Sequence, residues 1–215
     1  MTSVVEICNM ALAHCRAGSI NNINEFSLQA QQCRLWFDIT RDKALTETNW
    51  KFARTIQPLA LTTEKLFNYA FAYRYPADCL KMERLVNSFE EITSEISGAS
   101  RYRDGLFNEL KSKQIPHEMF NVNNVTLIGA NLPDLRIDYT KRVTDPNLFS
   151  IDFIHALSHL LASNIAIPIT GVDVGRRIRS DSLTLYQQYL SSAVAGDSNE
   201  KYYMQPESEF VTARD

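Results

Sequence analysis

His155 and His159 stand four residues apart in HALSH, so on a helix both imidazoles leave the same face and could share one metal ion. The glutamate of the HExxH pattern is missing, no third ligand can be named, and the neighbours are apolar or small. The pair therefore reads as the flank of a packed helix. The four cysteines, Cys8, Cys15, Cys33 and Cys79, form no CxxC pair. Structural zinc sites draw their ligands from closely spaced pairs, so these read as reduced, buried small hydrophobes. Cys79 and His117 can be drawn as nucleophile and base, but a chain of this size always allows such a drawing. Glu90 and Glu91 are adjacent, and adjacent carboxylates do not span one glycosidic bond, so they read as a solvated charge run. A GxSxG elbow and a GxxxxGK[ST] loop are both missing, and the two glycines of GVDVGRR follow no strand. No catalytic residue, cofactor-binding residue or metal ligand is assigned, no cofactor is expected, and the chain does not read as an enzyme.

The densest basic run is GRRIRSD, with Arg176, Arg177 and Arg179. A helix starting at Asp173 would place three cations in its first turns, against the macrodipole. Two readings remain. The helix starts at Ser180 or Asp181, leaving the arginines in a solvated loop, or the arginines meet acidic groups on another subunit or a partner.

These residues must be held by an ordinary globular chain. It has 215 residues, 45% hydrophobic and 22% charged, with seven Gly and seven Pro. The net charge of −3 offers no broad basic face for nucleic acid. No apolar run of 18 residues is seen, so no membrane span is expected. The first residues lack a basic n-region and carry Glu6 inside the apolar stretch, so no secretion signal is expected.

Residues 3–16 carry Val4, Ile7, Cys8, Ala11 and Cys15 at helical spacing, with Gly18 as the stop. Ser27 is an N-cap for a second helix over 28–47, where Ala30, Cys33, Phe37, Thr40 and Ala44 form a narrow stripe. Gln31, Gln32, Arg34, Asp38, Arg41 and Asp42 form its polar face. NWKFARTIQPLAL, residues 49–61, leaves the helical text, and Pro58 bars both a continuing helix and a central strand. Pro76 and Asp78 set a turn before the strand-like LKMERLV. PHEMFN and VTLIGA flank a hairpin, and LRIDYTKRV alternates apolar and polar residues. Helical text returns after Pro146, with a broad apolar face from Phe149 to Ile165 that Pro168 ends. The last long helix offers Ile178, Leu185, Tyr189 and Ala193 as buried positions.

The fold class expected is α+β, mainly α. Residues 1–50 and 147–200 make one discontinuous helical bundle, 51–146 a β-rich insert, and 201–215 an extended C-terminal tail. Trp50 and Phe52 lie where the chain leaves the bundle, and Trp50 is expected to be largely buried.

Five stretches in fixed order carry a resemblance. They are Trp50-Lys51-Phe52-Ala53, the turn from Tyr73 through Pro76, Asp78 and Cys79 to Leu80, Ile137-Asp138-Tyr139, Phe153 through Ala156-Leu157 to Leu161-Ala162, and Pro168-Ile169-Thr170. Over about residues 1–200 the chain resembles the head-to-tail adaptor family of short-tailed bacteriophages, also called tail tubular protein A or gatekeeper-type adaptors. Residues 88–115, charged and irregular, have no fixed alignment to that family, and the last fifteen match none of its motifs. The resemblance implies a structural virion protein at the head–tail junction, assembled in the host cytoplasm. Its copies would form a ring, a dodecamer in the family, joining the portal protein to the tail nozzle protein. DNA would pass through the channel without being read. The family's C-terminal segment reaches the portal, which points to Tyr202, Tyr203, Met204, Phe210 and Val211 as portal contacts. Two other functions fit the same text: a tail-associated cell-wall hydrolase, and a scaffold that does not stay in the particle.

Overall fold

The computed structural model describes residues 2–87 and 115–199. The chain divides into two compact units, one made of the residues up to Thr40 with those from Phe149 onward, the other of Arg41–Leu148. The division falls inside the second helix rather than at residue 50. Both helices and sheets are present, so the fold is mixed α+β.

The first unit is helical. Helix α1, Val4–His14, opens with a capping box in which Ser3 and Glu6 satisfy each other's backbone N–H groups. Ile7, Cys8, Ala11 and Leu12 are its buried face. Its end is set by Arg16, at φ 54°, and not by Gly18. The Ala17 N–H returns to the Leu12 carbonyl and the Arg16 N–H to that of Ala13, which closes the last turn without a glycine. Helix α2, Leu28–Glu47, is capped by Ser27, whose Oγ accepts from the Ala30 N–H. Ala30, Cys33, Phe37, Thr40 and Ala44 are all buried. Arg41, placed on the polar face by its charge, is buried as well, with its guanidinium on the Asp42 carboxylate at 2.8 Å.

Helix α3, Ile151–Thr170, starts on Ser150, whose Oγ accepts from the Phe153 N–H. Pro168 does not end it. The missing N–H of Pro168 forfeits one backbone bond in the final turn, while Thr170 Oγ1 donates to the Ala166 carbonyl and the Gly171 N–H to that of Ile167. Gly171, at φ 82°, is the true stop. On length and composition α3 passes for a membrane-crossing helix, contrary to the expectation of no such run, but 61% of the qualifying window is buried inside the protein. Helix α4, Val172–Asn199, follows at once. A Cβ on Gly175 would stand 2.6 Å from the Ile167 Cα, so this glycine is what lets the two helices approach so closely at their shared end. Gly175, Ser182 and Tyr186 are the buried line of α4, with Ile178, Tyr189 and Ala193 half-buried beside it. Leu185, expected inside, is 40% exposed, because it lies a third of a turn away from that line.

The second unit holds two three-stranded antiparallel sheets. Strands β1 (Arg54–Pro58), β6 (Leu135–Lys141) and β3 (Cys79–Asn87) pair in that order; β2 (Phe71–Arg74), β5 (Val125–Ala130) and β4 (His117–Val122) form the other sheet. Pro58 closes an edge strand, where its missing N–H breaks no ladder. Asn123 and Asn124, both at positive φ, make the β4–β5 turn of the hairpin expected between PHEMFN and VTLIGA. Tyr73, Leu85, Ile128, Ala130, Ile137 and Tyr139 bring both sheets into one core. The alternation of LRIDYTK predicts one solvated face, yet Asp138 and Thr140 are buried too, because β6 is the central strand of its sheet.

Candidate functional site

The histidine pair of α3 is built into a stack of four rings. The His14 ring, in the last turn of α1, lies 4.0 Å from that of His159 at an interplanar angle of 14°. Tyr189 of α4 stacks on His159 at 5.5 Å and on His155 at 5.2 Å. His14 Nε2 sits 3.2 Å from Ser158 Oγ, which donates to the His155 carbonyl. Three of the chain's four histidines thus meet where α1, α3 and α4 come together. His159 is 6% exposed, and its Nδ1 is buried without a hydrogen-bond partner among the described residues. Burial first, and then the nearby His14 and His155, push the His159 imidazole down to about 4, and burial likewise lowers His14.

Beside the stack opens a cavity of about 440 Å³ lined by His14, Arg16, His159, Arg177, Asp181 and Ser182. Arg176, Arg177 and Arg179 all lie in the first turns of α4 and all are exposed. The solvated-loop reading of GRRIRSD is therefore corrected. The helix begins at Val172, and Asp173 in its first turn offsets part of the dipole cost of the three early cations. Of the three, Arg177 reaches the cavity.

No protein-family model and no curated protein matches this chain.

Among the described residues, no three His, Cys, Asp or Glu side chains gather in a way that could hold a metal ion. Cys79 and His117 are each engaged elsewhere: the Cys79 thiol donates to the Tyr75 hydroxyl, and His117 Nδ1 pairs with the Ile115 carbonyl. Burial raises the Cys79 thiol, which works against a thiolate nucleophile. Glu90 and Glu91, and the tail residues Tyr202, Tyr203, Met204, Phe210 and Val211, lie outside the described residues.

The remaining motif residues are structural. Trp50 is 5% exposed, and its indole N–H donates to the Ala44 carbonyl at 2.9 Å. Phe52 tilts against it at 6.0 Å. The Pro76 carbonyl accepts from the Cys79 N–H, which closes the predicted turn. Asp78 in that turn accepts from the Tyr139 hydroxyl at 3.0 Å, and its own carbonyl accepts from the Arg142 N–H.

Two features escaped the sequence reading. Asp138 is fully buried, with both carboxylate oxygens taken by Arg54 and one shared with Arg84. The other is a second apolar line on α2. Leu28, Leu35 and Ile39 recur at i, i+7 and i+11 on the face opposite Ala30, Cys33 and Phe37, and Leu35 and Ile39 are 59% and 63% exposed. The signal was present in the sequence, since the helical period that picked out the buried stripe also picks out this one.

Proposed function

We propose that this protein is a structural head-to-tail adaptor of a short-tailed bacteriophage. Its copies form a ring that joins the portal vertex to the tail nozzle and lets DNA pass. The resemblance of the ordered motifs supplies the family. The observation that supports a ring is the outward stripe of α2. A helix that carries one apolar line for its own core and another facing solvent is built to be covered twice, and exposed apolar stripes mark association surfaces. Leu28, Leu35 and Ile39 are the residues that a neighbouring copy would cover.

The test is sedimentation of the purified protein, alone and mixed with a portal ring, compared with the double variant Leu35→Glu, Ile39→Glu. The wild-type chain is expected to form a ring on its own or on the portal. The double variant is expected to keep its helix content and thermal midpoint and to stay monomeric in both mixtures, because two charges cannot be buried at an apolar contact. A variant that still assembles removes the α2 stripe from the ring contact. A wild-type chain that neither self-associates nor binds the portal overturns the adaptor reading.

A further inference from the structure

We propose that the ring stack of His14, His159, Tyr189 and His155 is an acid-sensitive clasp: neutral, it holds the end of α1 against the α3–α4 hairpin, and protonation of His14 and His159 together releases it. The geometry carries this. Two imidazoles with ring centres 4.0 Å apart and nearly parallel stack well when uncharged. Protonated, they become like charges at that spacing, inside a pocket where water screens them poorly. Among the described residues, the facing elements do not neutralise them. Helix α1 contributes His14, and Arg16 follows it in the turn; α3 contributes His155 and His159; α4 contributes Arg177, Asp181 and Tyr189. Among the described residues lining the site, one carboxylate thus faces two guanidiniums before any histidine takes a proton. The buried Nδ1 of His159, without a partner among the described residues, adds to this, since a proton there has no acceptor unless the site opens.

The element that moves is small and defined. His14 is the last residue of α1, and beyond it the chain turns at Arg16. Losing the stack weakens the final turn of α1, which Ala11, Leu12 and Cys15 also hold by burial, more than the earlier turn anchored by Ile7 and Cys8.

The sign follows from linkage. A histidine lowered in the folded state leaves the unfolded or opened chain binding more protons between the two midpoints. Stability is therefore full above about pH 6.5 and falls as the pH drops toward 4. The experiment is amide hydrogen exchange, corrected for the intrinsic pH dependence, comparing the last turn of α1 with β5 and β6 between about pH 7.5 and pH 5. The opening constant of the α1 turn is expected to rise roughly thirtyfold over that range. In His159→Phe, which keeps a stacking ring, the rise should fall below about threefold, and His117→Gln, on β4, should leave it as in the wild type. An undiminished rise in His159→Phe, or equal acid sensitivity in β5 and β6, overturns the clasp. Should His159→Phe not fold, histidine titration by NMR in the wild type decides. A His159 midpoint well below 6.5, reached together with loss of α1 protection, supports the proposal, and an ordinary midpoint overturns it.

Discussion

Replacing Arg54 and Arg84 together by Met is expected to destabilise the protein by about 3–5 kcal/mol, the usual cost of leaving a buried charge without its partners. Asp138 has no exposed surface, and its carboxylate is held by the Nε and Nη2 of Arg54 and the Nε of Arg84. The single variants should cost much less, because each guanidinium alone still neutralises the carboxylate and both are about half exposed. The double variant should also reverse this site's contribution to the pH dependence. In the wild type, hydrogen bonds and charge from Arg54, and then Arg84, hold the Asp138 carboxyl below its ordinary value against the opposing effect of burial. That contribution is present above about pH 4 and is lost as the pH falls below it. With both arginines gone, burial acts unopposed and raises the carboxyl. The folded state then prefers the neutral acid, so the deficit of the double variant relative to the wild type should shrink on acidification from pH 7 toward pH 4. Urea midpoints of the wild type and the double variant at several pH values measure both effects, and a deficit that does not shrink toward pH 4 would contradict the account.

The second large effect is at Trp50. Trp50→Ala should cost roughly 3–5 kcal/mol, as for truncation of a buried aromatic. The indole does two things there. It fills a site that is 95% closed to solvent and caps the Ala44 carbonyl, one of the last four carbonyls of α2, which have no partner within the helix. Trp50→Phe keeps most of the packing and loses the cap, so about 1–2 kcal/mol is expected. Denaturant unfolding of the two variants separates the contributions; equal losses would mean that the hydrogen bond carries the whole effect.

The contrast between these two sites shows how much of the fold was legible. Trp50 could be foreseen as buried, because a large aromatic just past a helical stripe is hydrophobic by type and placed by period. Asp138 could not. In LRIDYTK it occupies the polar phase of an alternating strand, which locally predicts a wet face. Only the pairing of β1 and β3 on either side of β6, between segments up to 84 residues apart in the chain, brings Arg54 and Arg84 to it. The same distinction runs through the helices. Ser27 and the buried stripe of α2 are local and were readable. Arg41 departs from what its charge predicts because Asp42 beside it supplies a counter-ion that allows burial. Pro168 and Gly18 read as stops on residue type alone, but the ends are set by backbone bonds at Gly171 and Arg16. His155 and His159 were correctly placed on a helix face. What they do there depends on His14, 141 residues before His155, and no spacing rule links the three.

The cysteines have a practical consequence. Cys8, Cys15 and Cys33 are free and buried in the helical unit, and Cys79 is free and half-buried in the β-rich unit. Burial pushes the Cys15 thiol up to about 11, and Cys8 is raised first by its hydrogen bond to Cys33 and then by burial. The side-chain hydrogen bond with Cys8 lowers Cys33 instead, so it is burial that should keep all three silent to a thiol-alkylating reagent until the helices open, while Cys79 answers to the other unit. The unmodified chain thus carries one chemical clock in each of its two units, and mass spectrometry of the labelled peptides can read them separately.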